Sequence, residues 1–242
     1  AGLARAADVP TAPQLRIDPG EHTATIKRIA ADRAGRWLVT ASNDKTARVW
    51  DLADGRLVTT LRPPMGPGDE GKLNAVAISP DGETVAVAGW TGWDWDGSAS
   101  IYLFDRGSGR LRQRLVGLED VVLHLTFSPD GRQLAASVGV AGVRIFALPE
   151  GRMLGADREY GEEDSHGVEF SPDGRRLVTT GWDGKLRLYD VGPSGLNLRA
   201  RESAPGGRKP YRARFSPDGR WIAVGFVDTS VMNVLAADTL AL

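Results

Sequence analysis

The stretch HLTFSPDGRQLAAS, residues 124–137, places the tetrapeptide Ser-Pro-Asp-Gly between two short runs of apolar residues. Proline presets φ, aspartate bonds back to the backbone, and glycine accepts a positive φ, so the stretch predicts two strands joined by a tight turn. The same tetrapeptide begins at residues 79, 128, 171 and 216, and a looser version, DRAGR, occupies residues 32–36. This recurrence makes the chain a repeat protein.

Each repeat continues with a third apolar run, such as TARVWD or KLRLYD, and a weaker fourth, such as RLVTTL. Four short antiparallel strands per unit of about 45 residues is the pattern of a β-propeller blade. The sequence therefore predicts an all-β fold of five four-stranded units. Their bounds are about residues 18–61, 62–115, 116–156, 157–202 and 203–242.

These units resemble the WD-repeat family over residues 14 to about 240, and the first unit matches best. His22 precedes its first strand, Thr40 and Ser42 lie on the second, Asp44 follows in a turn, and Trp50 ends the third. The resemblance implies a structural hydrogen-bond network of His22, Asp44, Trp50 and one of the two hydroxyl residues. Later units lack a matching histidine, so we expect them to depend more on packing.

The family resemblance implies a ring of usually about seven blades, and this chain supplies five. The segment Gln14–Ile17 resembles an outer fourth strand of the kind that completes the last blade. Either five blades close the ring, or two more units follow Leu242. The final AADTLAL, where a fourth strand begins, favours the second alternative. We expect both terminal blades to be covered, either because residues 14–17 pair beside residues 230–235 or because another chain or domain packs against the blades.

Residues 1–13 are expected to form a flexible N-terminus. Ala4-Arg5-Ala6 is a small-x-small pattern of the kind that precedes a signal-peptidase cut, although no charged or apolar region stands upstream of it. The pattern favours an exported protein, and a cytoplasmic one is the alternative.

The composition excludes several classes of function. The 30 basic and 31 acidic residues give a net charge of -1, which offers no large field toward nucleic acid or an anionic membrane. The chain has no cysteine and no apolar run of about 18 residues. We therefore expect neither a nucleic-acid partner nor membrane insertion, and no thiol chemistry.

The motifs predict no catalytic residue, no metal and no cofactor. The three histidines are scattered, and HExxH, Walker and GxSxG motifs are absent. Asp94-x-Asp96 lacks the remainder of a calcium loop. Four polar residues fall on first strands, where a channel enzyme would need them, but they form no recognised constellation: His124, Glu169, Arg212 and Arg214. Since a charge buried alone is costly, we predict that Glu169 and Arg214 pair between neighbouring blades.

The turn WTGWDWDG, residues 90–97, is enlarged relative to its counterpart SNDK in the first unit, and the loop at 62–72 is also long. In the resembled family, such turns and loops share one face, called the top. One interpretation is a small local hydrophobic core, in which the tryptophan side chains of the turn pack on Pro63, Pro64 and Met65. The other is a contact patch for a partner, because tryptophan is enriched in binding hot spots. The candidate patch comprises Trp90, Trp93, Asp94, Trp95 and Asp96.

These observations predict a noncatalytic interaction scaffold that presents its top face to a protein or peptide. Two charged stretches, residues 157–164 and 199–214, suit a protein partner better than a polyanion. The alternative follows from a resemblance of segments such as PQLRI and SIYLFDR to bacterial propellers that share a chain with a caspase-like peptidase. This chain would then be the sensing or substrate-docking domain, with the catalytic domain outside it.

Overall fold

The computed structural model describes residues 18–193 and 195–242. The chain is an all-β propeller with five blades, and it divides into two compact units, residues 1–122 and 123–242. The predicted strand at 14–17 and the export pattern at 4–6 lie outside the described residues. Each compact unit is built from antiparallel sheets in which successive strands pair in sequence order.

The first unit contains blades 1 and 2. Blade 1 consists of β1 (Ile26–Ala31), β2 (Trp37–Ser42), β3 (Ala47–Asp51) and β4 (Leu57–Leu61). Blade 2 consists of β5 (Leu73–Ile78), β6 (Thr84–Gly89), β7 (Ala99–Asp105) and β8 (Leu111–Leu118). Small and β-branched residues from both blades form one buried cluster, which includes Val39, Val49, Val76 and Val87.

The second unit contains blades 3 to 5. Blade 3 consists of β9 (Val122–Phe127), β10 (Gln133–Val138), β11 (Val143–Ala147) and β12 (Met153–Asp157). Blade 4 consists of β13 (Ser165–Phe170), β14 (Arg176–Gly181), β15 (Lys185–Gly192) and β16 (Gly195–Ser203). Within the described residues, blade 5 has three strands: β17 (Pro210–Phe215), β18 (Trp221–Phe226) and β19 (Met232–Ala236).

The recurring turn has the predicted chemistry. In blade 3, the Ser128 hydroxyl donates to Asp130 Oδ1 at 2.6 Å and accepts the backbone N–H of Gln133 at 2.9 Å. The hydrogen bond from Ser128 holds the pKa of Asp130 below its usual value. Gly131 has a φ of +72°, which glycine adopts without strain. In blade 1, Asp32 replaces the serine and accepts two backbone N–H groups at 2.8 and 2.7 Å.

The enlarged turn of blade 2 contains a one-turn helix, α1 (Trp93–Asp96), where the sequence predicted only a long turn. Gly92 and Gly97 bound this helix with positive φ values of 107° and 63°. The Gly97 N–H donates to the Trp93 carbonyl, which ends the helix. In the described part of the chain, no helix is both long and apolar enough to cross a membrane.

Candidate functional site

The hydrogen-bond network expected in blade 1 is present. His22 Nδ1 lies 2.8 Å from Asp44 Oδ2, and His22 Nε2 lies 2.6 Å from Thr40 Oγ1. Trp50 Nε1 donates to the same Thr40 hydroxyl at 3.0 Å. Ser42 Oγ instead accepts the Asp44 backbone N–H at 3.1 Å. Thr40 is therefore the hydroxyl that joins the histidine to the tryptophan, and Ser42 holds the turn.

One protonation state satisfies all members of the network. The Trp50 N–H donates to Thr40, the Thr40 hydroxyl donates to His22 Nε2, and His22 Nδ1–H donates to Asp44. Burial raises the pKa of Asp44, but hydrogen bonds from Thr46, His22 and the Thr23 backbone outweigh it, and the pKa is lowered. The polar groups of the four side chains hydrogen-bond to one another, which indicates a structural role.

The Thr40→Val variant tests this role. Valine keeps the shape of threonine but leaves the Trp50 N–H and His22 Nε2 without their shared partner, so we expect a loss of about 2 kcal/mol of unfolding free energy. The control is Thr59→Val on β4, because Thr59 makes no side-chain hydrogen bond in the structure and should change stability by under about 0.5 kcal/mol. Urea denaturation measures both, and equal midpoints would contradict a structural network.

In blade 3, Phe146 stands in the place of Trp50. In blade 4, the Tyr160 hydroxyl lies 2.6 Å from Thr179 Oγ1 and 3.2 Å from the Tyr189 hydroxyl, at the positions that Thr40 and Trp50 hold in blade 1.

Buried arginines stand on the third strands of blades 3 and 4. Arg144 and Arg187 are each 1% exposed and lie two residues before the aromatic residue near the end of the strand. Arg48 has the equivalent place in blade 1, with Nη2 at 2.8 Å from Asp18 Oδ1. These buried arginines were not predicted from the sequence, although an arginine repeated at one strand position was the available signal.

The tryptophans of the 90–97 turn separate into two environments. Trp90 is 40% exposed, Trp93 is half-buried, and Asp94 is exposed. Trp95 is 5% exposed. Asp96 accepts hydrogen bonds from Ser100 Oγ at 3.1 Å and Arg114 Nη2 at 3.2 Å.

This arrangement differs from the expected five-residue patch. Trp95 and Asp96 do not lie on the outer surface, because the indole is buried and the carboxylate is occupied by Ser100 and Arg114. The remaining residues, Trp90, Trp93 and Asp94, form what we call the Trp90 surface. Trp95 is therefore buried and Trp90 exposed, although both belong to one turn.

Glu70 fixes the Trp90 surface to the neighbouring long loop. Its buried carboxylate accepts the backbone N–H of Gly92 at 2.6 Å and of Asp94 at 3.2 Å. Burial raises the pKa of Glu70, against the effect of these two hydrogen bonds. The backbone N–H of Trp90 also donates to the Lys72 carbonyl at 2.9 Å. Sequence reasoning missed Glu70, because the two backbone N–H groups that donate to it lie 22 and 24 residues away.

A second aromatic cluster lies in blades 4 and 5. The His166 ring stacks on Trp182 with centroids 4.9 Å apart and lies 4.4 Å from Tyr211. Lys209 Nζ lies 4.7 Å from the centroid of the Trp182 ring. This cluster was also missed, although Gly181-Trp182 repeats the Gly-Trp pair that ends the second strand of blade 2.

The polar residues of the first strands form contacts within the second unit. Arg214 Nη1 lies 2.7 Å from Glu169 Oε1, so the predicted ion pair is present. Burial raises the pKa of Glu169, and the charges of Arg214 and Arg212 oppose this rise. His124 Nε2 lies 3.1 Å from Arg212 Nη2. Among residues 18–193 and 195–242, no three acidic or histidine side chains are grouped so that they could hold a metal.

Comparisons with known proteins agree with this geometry. The WD40 family model (WD domain, G-beta repeat) matches residues 15–51, 55–102 and 161–190. The LST8 homolog of Drosophila melanogaster is 26% identical over 188 residues, covering 74% of this chain and 55% of that protein. The small ribosomal subunit protein RACK1 of Caenorhabditis elegans is 31% identical over 164 residues, covering 64% of this chain and 46% of that protein.

A solved structure extends the agreement in fold. The β-propeller domain of Myceliophteria thermophila Cps50 (Swd1) superimposes with a TM-score of 0.69 at 17% identity, over 89% of this chain and 67% of that chain. The chain spans about half the length of the two curated relatives. Those two relatives are eukaryotic and their names describe no peptidase, so a bacterial source and a caspase-like domain remain predictions.

Proposed function

We propose that this β-propeller, three stretches of which match the WD40 family model, is a noncatalytic scaffold that binds a protein or peptide partner. The partner docks on the Trp90 surface. The observation that carries the proposal is a 40% exposed tryptophan on a turn that buried hydrogen bonds hold in place. A relative named as a protein of the small ribosomal subunit supports a role in an assembly.

The physical argument is one of preorganisation. Glu70 and the Lys72 carbonyl hold the backbone of the turn, so little conformational entropy is lost when a partner docks. Trp90 offers a large rigid apolar area, and the exposed Asp94 of the same turn offers a hydrogen-bond acceptor. Aromatic residues are enriched at the centres of protein interfaces and polar groups at their rims, which gives Trp90 the central place and Asp94 a peripheral one.

The experiment is affinity capture from a lysate of cells that produce the protein, followed by affinity measurement with the purified partner. We expect Trp90→Ala to weaken the partner by at least about 2 kcal/mol, roughly thirtyfold, because it removes the anchor. The melting temperature should fall by no more than about 4 °C, because Trp90 is already 40% exposed and its removal takes only part of its apolar area out of the protein.

Two matched controls make the result specific. Trp221→Ala removes a tryptophan that is 48% exposed on blade 5, and it should leave the affinity unchanged. Trp95→Ala removes the buried tryptophan of the same turn, and it should lower stability. Equal losses of affinity in Trp90→Ala and Trp221→Ala, or full affinity in Trp90→Ala, would refute the Trp90 surface as the docking site.

A further inference from the structure

The loop before β17, residues 204–209, is held to blade 5 through its backbone. The Arg208 and Lys209 N–H groups donate to the two carboxylate oxygens of Asp228, at 2.8 and 3.1 Å. The Lys209 carbonyl accepts the backbone N–H of Val227 at 3.2 Å. The backbone that carries Arg208 and Lys209 is therefore fixed, although both side chains are exposed.

The Lys209 ammonium group is positioned by an aromatic ring of blade 4. Its Nζ lies 4.7 Å from the centroid of the Trp182 ring, and that ring stacks on His166 with centroids 4.9 Å apart. A cation–π contact attracts the ammonium group without satisfying its N–H donors. Lys209 therefore presents a restrained positive charge whose donors can still bind an acceptor.

The turn between β14 and β15 brings a third cation to this loop. The Gly184 carbonyl accepts the backbone N–H of Ala204 at 2.8 Å, and Lys185 follows at the start of β15. Within residues 18–193 and 195–242, the side chains of Lys185, Arg208 and Lys209 form no ion pair. We call these three side chains the Lys209 patch.

The charge of this patch decides the class of partner. Asp228 sets one negative charge against the three positive ones, and Asp183 of the neighbouring turn is paired with Arg187 at 2.6 Å, so a positive excess remains. Opposite charges across an interface steer association and fix its register. A nucleic acid fits less well, because it needs a longer row of cations and free aromatic faces for its bases, and Trp182 already stacks on His166.

We propose that the Lys209 patch binds an acidic segment of a partner polypeptide, whose Asp or Glu carboxylates accept hydrogen bonds from Lys185, Arg208 and Lys209. Because the loop and the Lys209 ammonium group are already held in place, docking orders fewer groups than binding to unrestrained surface lysines does. The patch shares no residue with the Trp90 surface, so either site can be tested without the other.

Fluorescence anisotropy with the full chain and a fluorescein-labelled hexaglutamate peptide tests the patch. We expect saturable binding that weakens as the salt concentration is raised. Labelled hexaglutamine controls for the peptide backbone, and a labelled thymidine hexanucleotide tests a nucleic-acid ligand. The absence of saturable hexaglutamate binding, or tighter binding of the hexanucleotide, overturns the proposal.

Three variants locate the binding on the molecule. Lys209→Gln and Arg208→Gln should each weaken hexaglutamate at least about fivefold, because each removes one charged donor. The matched control is Arg175→Gln, since Arg175 is also exposed and without an ion pair among the described residues, but lies at the opposite end of β14. It should change the affinity by less than about twofold.

Because all three variants alter exposed side chains, each should melt close to the parent protein, which circular dichroism checks. Equal hexaglutamate affinity in Lys209→Gln and Arg175→Gln would show that the peptide binds elsewhere, and would overturn the assignment.

Discussion

The Arg187→Ala variant is expected to lose about 3 kcal/mol of unfolding free energy. Arg187 is 1% exposed, and both of its terminal nitrogens bind Asp183, at 3.2 and 2.6 Å. It also donates to the Glu159 carbonyl and lies over the Tyr160 ring at 3.8 Å. Alanine leaves a cavity, an uncompensated carboxylate and a carbonyl without its donor. The urea midpoint, followed by circular dichroism, measures the loss.

Arg201→Ala is the matched control. Arg201 Nη1 also pairs with Glu159, at 3.0 Å from Oε2, but both side chains are exposed. Water and salt screen such a pair, so its removal should change the unfolding free energy by less than about 0.5 kcal/mol. A midpoint for Arg187→Ala equal to that of Arg201→Ala would show that the buried arginine contributes nothing net to the blade.

Gly89→Ala is expected to destabilise the first unit by about 2–3 kcal/mol. A Cβ at this position would lie 2.7 Å from the Asn74 backbone nitrogen and closer still to the Lys72 carbonyl oxygen. These atoms belong to backbone, so relief requires β5 and β6 to separate where the strands pair. The same movement would break the hydrogen bond from the Trp90 N–H to Lys72.

Gly107→Ala provides the comparison within the same blade. The nearest atom to a Cβ there is Asp105 Oδ1 at 3.5 Å, an ordinary contact distance. This variant should be neutral to within about 0.5 kcal/mol, because nothing has to move. Thermal unfolding of the two variants side by side is sufficient, and a wild-type melting temperature for Gly89→Ala would contradict the close approach.

The fold was predictable because its signals are local. Ser128, Asp130 and Gly131 make their turn through hydrogen bonds that span at most five residues. The tetrapeptide therefore predicts the turn wherever it occurs, and the alternating apolar runs on either side of it predict the two strands. The one-turn helix at Trp93–Asp96 was not predicted, because four residues are too few to show helical periodicity.

The blade 1 network was predictable through the family resemblance, but the choice between Thr40 and Ser42 was not. Both are hydroxyl residues on β2, and the choice depends on which hydroxyl lies within 3.0 Å of Trp50 Nε1 on the neighbouring strand. The positions of Thr40 and Ser42 along β2 do not predict their distances to a side chain on the next strand.

The candidate sites also combine features that the sequence predicts with features that only tertiary contacts decide. The sequence by itself determined the repeat, the strand order, the turn chemistry and the residues available at each blade position. Only the tertiary structure decided that Trp95 is buried while Trp90 is exposed, that Glu70 holds the turn, and that Arg212 faces His124. Glu70 and Gly92 are 22 positions apart within blade 2, and His124 and Arg212 are 88 positions apart in blades 3 and 5. Such contacts depend on how loops, strands and blades pack rather than on any local pattern.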